Sequence, residues 1–268
     1  MRFVTITSGK GGVGKSTLAA NISYLLSIYG YKTAIFDADV GLANQDIIFN
    51  VKPQNTILDV LKGDANFEDI VVQLNNNLYL IPGENGEEIF QYKNSDILEK
   101  FFAGVEKFND FDFLIIDTGA GIGEYVQSFI KAATDTIVVT IPDPSAIMDA
   151  YSMIKYTLKV KSEIYLVVNR TKSAKEAHEI FVKLESVAKK HIDPNAHIEF
   201  LGYVEKSNLI EEASKRREIV VQSYASSIPA IEIANIVKKL TNSLTKDGEH
   251  IKETPNIAIF FKRLLQQI

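Results

Sequence analysis

The segment at residues 9–17 (GKGGVGKST) constrains the fold of this chain more than any other feature. It follows a β-branched, apolar run at residues 2–8 and precedes a stretch with helical spacing at residues 15–29, so it joins a predicted strand to a predicted helix. Its spacing, G-x4-G-K-S, allows backbone N–H groups to converge on phosphate oxygens at a helix N-terminus. By composition alone, the pattern arises in about one chain in a hundred of this length. The segment therefore predicts a phosphate-binding loop of the Walker A type.

The residue types in this loop predict how it handles a nucleotide. We expect Lys15 to reach the β- and γ-phosphates as a catalytic residue, and the Ser16 hydroxyl to ligate Mg²⁺. The nucleotide-binding residues predicted from the loop are Gly11, Gly12, Val13, Gly14, Lys15, Ser16 and Thr17.

Short β-branched runs alternate with longer helical patterns along the rest of the chain. The predicted strands are 2–8, 32–37, 78–82, 113–117, 136–142, 163–169 and 198–204, and the predicted helices include 15–29, 96–108, 145–159 and 174–190. Several of these strands are apolar at nearly every position, which is typical of strands buried on both faces. The alternation predicts an α/β fold, a single doubly wound and mostly parallel β-sheet flanked by helices, at residues 1–240.

Composition excludes several classes of function. The chain has no cysteine, which removes disulfides, iron–sulfur ligation and thiolate zinc sites. The net charge of −5 gives a surface that does not attract nucleic acid as a whole. Neither a secretory signal nor an apolar run of the roughly 20 residues needed to cross a bilayer is present. We therefore expect a cytoplasmic protein whose membrane contacts, where it makes them, are peripheral.

Aspartates follow two of the predicted strands. Asp117 ends the apolar run at residues 113–116, where a Walker B acid or a strand-end cap would lie. Asp37 and Asp39 follow the strand at residues 32–37. Carboxylates close to phosphates repel them unless Mg²⁺ or an attacking water lies between, so we expect one acid to hold metal-bound water and another to orient the nucleophile. The predicted metal site comprises Ser16, Asp39 and Asp117.

Lys10 and two further segments give the chain a family resemblance. An additional lysine at this position of the loop resembles the signature lysine of the deviant Walker A ATPases, the MinD/ParA family. The segments DADVGLAN (37–44) and DTGAGI (117–122) are similar to the switch I and switch II segments of that family. The resemblance extends over residues 3–240 and implies the P-loop NTPase fold with ATP or ADP and Mg²⁺ as ligands.

The resemblance also implies a role for individual residues. Lys10 would cross a homodimer interface to the ATP of the partner subunit, as a catalytic residue, and a monomer would then be a poor ATPase. Asp39 would orient the attacking water, and Asp117 would hold Mg²⁺ through water. Asn169, followed by Arg170, would contact the adenine. The chain reads VEKS at residues 204–207, where relatives often carry Ile-Pro-x-Asp, so adenine selectivity is less strongly implied than phosphate binding.

The C-terminal segment has a helical apolar stripe after a polar tether at residues 241–255. The stripe, at spacings of three and four in residues 256–268, comprises Ile257, Phe260, Phe261, Leu264, Leu265 and Ile268. A helix docked on the core of its own protein would show such a stripe. The basic residues Lys262 and Arg263 beside it, the tether and a resemblance to MinD-type membrane-targeting tails favour a helix that binds inner-membrane lipids.

Three functions remain open at the level of sequence. The residue pattern of the DTGAGI segment resembles that of the flagellar-number class of the family (FlhG, FleN, YlxH). This resemblance implies the flagellar GTPase FlhF and flagellar switch-complex proteins as partners. Division-site MinD proteins share the same chemistry with other partners. DNA-segregation ParA proteins need a basic surface, and the acidic balance argues against nucleic acid as a partner.

Overall fold

Eight strands form one sheet in the computed structural model, which describes residues 1–39, 44–83, 95–242 and 256–265. The strands are β1 Arg2–Ser8, β2 Thr33–Ala38, β3 Val72–Gln73, β4 Leu78–Ile81, β5 Phe113–Ala120, β6 Asp135–Thr140, β7 Glu163–Thr171 and β8 His197–Glu205. Their order across the sheet is β3-β4-β2-β5-β1-β6-β7-β8. Only β3 runs antiparallel to its neighbour among these strands. The predicted doubly wound, mostly parallel sheet is confirmed.

Helices cover both faces of this sheet. In the described residues they are α1 Lys15–Ile28, α2 Gln45–Ile48, α3 Ile57–Lys62, α4 Phe67–Ile70, α5 Ser95–Glu106, α6 Glu124–Ala132, α7 Pro144–Thr157, α8 Ala174–His191, α9 Asn208–Arg216, α10 Val220–Ser223, α11 Ile228–Asn242 and α12 Ile257–Leu265. Helices α1 and α11 pack together on one face, where the core includes Ile6, Ile35 and Ile115. Helices α5, α6 and α12 pack on the other face, over Phe3 and Phe36.

The strands that carry the predicted acids extend further than the sequence pattern indicates. Strand β5 continues past Asp117 to Ala120, because β2 pairs with it through Asp37 opposite Asp117 and Ala38 opposite Thr118, and β1 places Ser8 opposite Ala120. Asp37 and Asp117 therefore lie side by side on neighbouring strands. This register brings two carboxylates together beside the loop that follows β1.

The C-terminal helix is present, and its apolar stripe packs against the protein itself. Phe260 is fully buried, with its ring centroid 5.3 Å from that of Phe3, and Phe261 lies 5.0 Å from Phe101 and 5.7 Å from Phe36. Ile257 and Leu264 are also buried in the same cluster, whereas Leu265 is partly exposed. Four of the six stripe residues thus belong to the core of this face of the sheet, and contact of these side chains with lipid requires the helix to leave it.

The last helix before the predicted tether is slightly longer than the sequence indicates. Helix α11 runs through Asn242, so it includes Thr241 and Asn242, the first two residues of that predicted tether. The rest of the predicted tether, 243–255, and Ile268 lie outside the described residues. Among the helices that are described, none is long and apolar enough to cross a bilayer.

Candidate functional site

The loop between β1 and α1 depends on glycine for its backbone shape. Gly12 and Gly14 have φ angles of 75° and 90°, in the left-handed region that strains other residues. A Cβ atom on Gly14 would lie 2.4 Å from Nδ2 of Asn169, whereas one on Gly12 would meet nothing within 4 Å among the described residues. Gly14 is thus required by both conformation and close packing, while Gly12 leaves room beside the loop for a bound group.

Asn169 fixes the loop to the end of β7. Its Nδ2 atom donates a hydrogen bond to the Val13 carbonyl over 2.8 Å, and the side chain is buried. Asn169 and Arg170 line a pocket together with Glu205, Lys206 and Ser207. The segment at residues 204–207, which departs from the family pattern, therefore forms part of the pocket wall where the sequence predicts the adenine. A contact between Asn169 and adenine remains a prediction.

Lys15 and Asp117 form a buried ion pair at the start of α1. The Lys15 Nζ atom lies 2.7 Å from Oδ1 of Asp117, and the two side chains are 7% and 0% exposed. Each charge needs the other, because an unpaired charge at such a depth is strongly unfavourable. The structure thus brings together two residues that the sequence assigned to the phosphates and to the metal.

Two further carboxylates lie beside this pair. Asp37 is buried and accepts hydrogen bonds of 2.8 Å from the backbone N–H groups of Asn44 and Gln45. Burial, followed by the charge of Asp117, raises the pKa of Asp37 to about 7. Burial also raises the pKa of the half-buried Asp39, aided by Asp117 and opposed by Lys15. The acids therefore form one electrostatically coupled cluster.

Gln45 belongs to this cluster, although the sequence analysis did not identify it. Its side chain is fully buried, and Nε2 donates to Oδ2 of Asp117 over 2.8 Å and to the Ser16 carbonyl over 3.1 Å. No periodicity or motif marks the residue, since its partners lie 29 and 72 positions away in sequence. A polar residue inside the stretch QDII was the one available signal.

Lys10 lies at the edge of the site and turns towards helix α7. Its Nζ atom is 3.0 Å from Oδ1 of Asp143 and also contacts the Ser145 hydroxyl. Hydrogen bonds from Ser145, from the Ala146 N–H group and from Lys10 hold the pKa of Asp143 below its usual range. The lysine side chain is 41% exposed, so it is far more accessible than Lys15. The predicted crossing of Lys10 to a partner subunit is not tested by this single chain.

The residues present suit a magnesium ion beside a nucleotide. Mg²⁺ prefers oxygen ligands and retains several waters, so one or two carboxylates and a hydroxyl are sufficient protein ligands. The backbone carbonyl of Ser16 and the carboxylate of Asp117 both accept hydrogen bonds from Gln45, and the charge of Asp117 helps to raise the pKa of Asp39. The backbone of Ser16 and the two acids therefore lie in one region, next to the helix N-terminus that is expected to face the phosphates, and ligation of Mg²⁺ by the Ser16 hydroxyl stays a prediction.

Comparison with known proteins places this arrangement in a family. The ParA family model, described as NUBPL iron-transfer P-loop NTPase, matches residues 1–241. The flagellum site-determining protein YlxH of Helicobacter pylori is 39% identical over 268 residues, which is 100% of this chain and 90% of that protein. The antiactivator FleN of Pseudomonas aeruginosa is 25% identical, over 99% of this chain and 94% of that protein.

A solved structure agrees with these relatives. The MinC:MinD cell division protein complex of Aquifex aeolicus matches with a TM-score of 0.70 and 26% identity, over 96% of this chain and 100% of that one. The loop of residues 9–17, the coupled acids and these similarities lead to one assignment. The chain belongs to the ParA/MinD family of P-loop NTPases, whose ligands are ATP or ADP and Mg²⁺.

Proposed function

We propose that this chain is an ATP-dependent dimerising ATPase that associates with the membrane and controls the number or placement of flagella. The observation that carries the flagellar role is the 39% identity to YlxH across the full length of the chain. The similarity to FleN over 99% of the chain supports the same role. The chemistry is Mg²⁺-dependent hydrolysis of ATP to ADP and phosphate.

The site residues divide this chemistry between them. The loop amides and Lys15 hold the phosphates, and Asn169 with Arg170 borders the base. Asp39 orients the attacking water, while Asp117 and Ser16 hold the metal and its waters. Bound Mg²⁺ would neutralise part of the phosphate charge. The pairing of Asp117 with the ammonium group of Lys15 supports this division, as does the influence of the Lys15 and Asp117 charges on the pKa of Asp39.

Dimerisation completes the site through Lys10. In the single chain its ammonium group rests on Asp143, in a pair that is exposed and therefore weak. The same group can exchange this contact for the phosphates of a partner's ATP, where it would neutralise charge that develops during phosphoryl transfer. This proposal makes hydrolysis a property of the ATP-bound homodimer.

Helix α12 supplies the proposed link to the membrane. Four residues of the predicted stripe, Ile257, Phe260, Phe261 and Leu264, fill the core in the single chain. The helix must therefore leave the core before these side chains can enter lipid together with the other predicted membrane residues, Leu265 and Ile268. One helix this short binds lipid marginally, whereas two in a dimer act together through avidity. We therefore place the protein in the cytoplasm with ADP and on the cytoplasmic face of the inner membrane with ATP. FlhF and the flagellar switch complex are the proposed partners.

Flotation with anionic liposomes tests the switch. The Asp39→Ala variant, which should bind ATP without hydrolysing it, is expected to float as a dimer with ATP and Mg²⁺ and to stay at the bottom with ADP. The Lys15→Ala variant serves as the control that cannot bind nucleotide and should not float in either condition. Flotation that does not depend on the nucleotide would contradict the proposal.

Deletion of the gene tests the flagellar role. We expect altered flagellar number or position with normal cell division. The alternative is a MinD-type division-site role, which the similarity to the MinC:MinD complex favours, and it predicts minicells with normal flagellation. A ParA-type role in DNA segregation predicts salt-sensitive DNA binding, which the net charge of −5 argues against.

A further inference from the structure

We propose that Gln45 is a positioning residue that holds the metal-associated Asp117 through one carboxylate oxygen and connects it to Asp37 and to the Ser16 carbonyl. The inference rests on the proposed use of Asp117 at the Mg²⁺ site. It concerns a residue to which neither the sequence motifs nor the comparisons assign a role.

The contacts of Gln45 determine which end of its amide faces the cluster. Nε2 lies 3.1 Å from the Ser16 carbonyl oxygen, which can only accept a hydrogen bond, and 2.8 Å from Oδ2 of Asp117. An amide oxygen in that place would face two acceptors, so the nitrogen must be there. Gln45 thus occupies one oxygen of Asp117, while Lys15 occupies the other at 2.7 Å.

This division of the carboxylate matters when a nucleotide binds. Lys15 is expected to turn to the phosphates, which frees Oδ1 of Asp117 for metal-bound water. Gln45 carries no charge that would draw it to the phosphates, so it keeps its hydrogen bond to Oδ2 of Asp117. Asp117 therefore remains oriented during the exchange, as carboxylates near a metal commonly are through a hydrogen-bonded neighbour.

The backbone of Gln45 extends the same connection to the switch I segment. Its N–H group donates to Oδ2 of Asp37 over 2.8 Å, and so does that of Asn44. A single residue therefore connects both neighbouring acids, Asp37 on β2 and Asp117 on β5, with the Ser16 carbonyl on α1.

The amide oxygen of Gln45 indicates that packing alone does not explain a glutamine at this position. Gln45 Oε1 is buried and has no hydrogen-bond partner among the residues that the structure describes. A buried polar atom without a partner is destabilising, so a leucine or methionine would suit a purely structural role better. The donor function of Nε2 is what the polar side chain adds.

Magnesium-dependent binding of ADP tests the inference in the monomer. The dissociation constant for ADP is measured by calorimetry in excess Mg²⁺ and in EDTA, and the ratio of the two constants is compared between variants. Gln45→Met keeps the length of the side chain and removes the donor. We expect it to lower the Mg²⁺-dependent gain in affinity about tenfold, the scale typical of lost support for a metal ligand.

Asn21→Leu provides the matched control. Asn21 is also a buried amide on α1, donating to the Thr17 carbonyl over 2.8 Å and accepting from the Val221 N–H group over 3.0 Å, but it does not contact Asp117. Its loss should weaken ADP binding equally with and without Mg²⁺, so that the ratio is unchanged. In an Asp117→Asn background, Gln45→Met should have no further effect on the ratio.

Each outcome decides the inference. Three results would overturn the inference. One is a ratio within twofold of wild type in folded Gln45→Met, and another is an undiminished effect of Gln45→Met in the Asp117→Asn background. The third is a wild-type protein that binds ADP equally with and without Mg²⁺. If Gln45→Met does not unfold cooperatively, Gln45→Asn, which keeps an amide on a shorter stem, is measured under the same criterion. Failure of dimerisation or flotation would contradict the proposed function and leave this ratio, and the inference, intact.

Discussion

Removing the ring of Phe261 tests how firmly helix α12 is docked. The ring is 2% exposed, and its centroid lies 5.0 Å from that of Phe101, 5.7 Å from Phe36 and 6.2 Å from Phe67. These neighbours belong to α5, β2 and α4, so the cavity left by Phe261→Ala is bounded by three elements that cannot all close around it. Phenylalanine-to-alanine changes at such sites destabilise by about 3–5 kcal/mol.

We expect the lost stability of Phe261→Ala to appear as local opening of helix α12. Helix α12 has nine residues and contributes no strand to the sheet, so it can separate without breaking the strand pairing. Every 1.4 kcal/mol is a factor of about ten in an equilibrium, so amide hydrogen exchange at residues 257–265 should accelerate on the order of a hundredfold or more in Phe261→Ala. Exchange in β1 and β5 should be unchanged.

Hydrogen exchange by mass spectrometry on the ADP-bound protein provides the measurement. Lys262→Ala is the matched control, because this side chain is exposed on the same helix, with its ammonium 5.4 Å from the ring centroid of Phe102. Exchange of the helix at the rate of an unstructured peptide in wild type would refute the docking argument. Equal acceleration in the central strands would also refute it, because the ring would then stabilise the whole fold rather than the helix contact.

The same variant separates docking from lipid binding. Lipid chains close around a shortened side chain, so the membrane-bound helix loses only the transfer free energy of the ring, about 1.5–3 kcal/mol. The docked helix loses this transfer free energy and also leaves a cavity, so the substitution destabilises the docked state by about 1–2 kcal/mol more than the membrane-bound state. Phe261→Ala is therefore expected to float with liposomes several times more than wild type in ADP. Reduced flotation would show that lipid binding depends on this ring more than docking does.

Four further variants test the nucleotide site. Asp39→Ala should keep ATP affinity, lose hydrolysis by roughly a hundredfold or more and accumulate as a dimer on size-exclusion chromatography, and a monomer with ATP would contradict the assigned role. Lys10→Ala should bind Mg-ADP within about twofold of wild type by calorimetry, because its ammonium rests on Asp143, but should lose ATP hydrolysis. Gly14→Ala should lower the melting temperature more than Gly12→Ala, since both carry the left-handed strain of about 1–2 kcal/mol but only Gly14 would also press on Asn169. Equal decreases in the melting temperature of the two variants would mean that Asn169 moves away from the added methyl group of Gly14→Ala at no cost.

Local patterns were sufficient for most of the fold. The phosphate loop, the strands around it and the helix that follows are specified by glycine spacing and apolar runs over fewer than about 20 residues, so they could be predicted. Strand β3 could not, because two residues paired antiparallel to β4 carry no period. The end of β5 was also missed, since its extension past Asp117 depends on pairing with β2 and β1 rather than on its own sequence.

The partners of the functional groups were less predictable than the groups themselves. The spacing of the C-terminal stripe predicts that one face of α12 is covered, but it contains no information on whether lipid or the protein covers it. Gln45 depends on contacts with Ser16 and Asp117 across 29 and 72 residues, which no local pattern reports. Asp143 caps the N-terminus of α7 and pairs with Lys10 across 133 residues, a contact that no local pattern reports.

A nucleotide can release helix α12 only by changing something that the helix contacts, because a ligand shifts an equilibrium through its different affinity for the two states. Strand β2 meets this requirement. Asp37 lies in the acid cluster, and the preceding residue, Phe36, packs its ring 5.7 Å from Phe261 and 5.9 Å from Phe129 on α6. Helix α6 follows the switch II segment that begins at Asp117, and it also packs against α12. Both acid-bearing strands therefore lead to the surface on which helix α12 packs, so a shift of β2 or β5 on ATP binding would disturb the packing of Phe261.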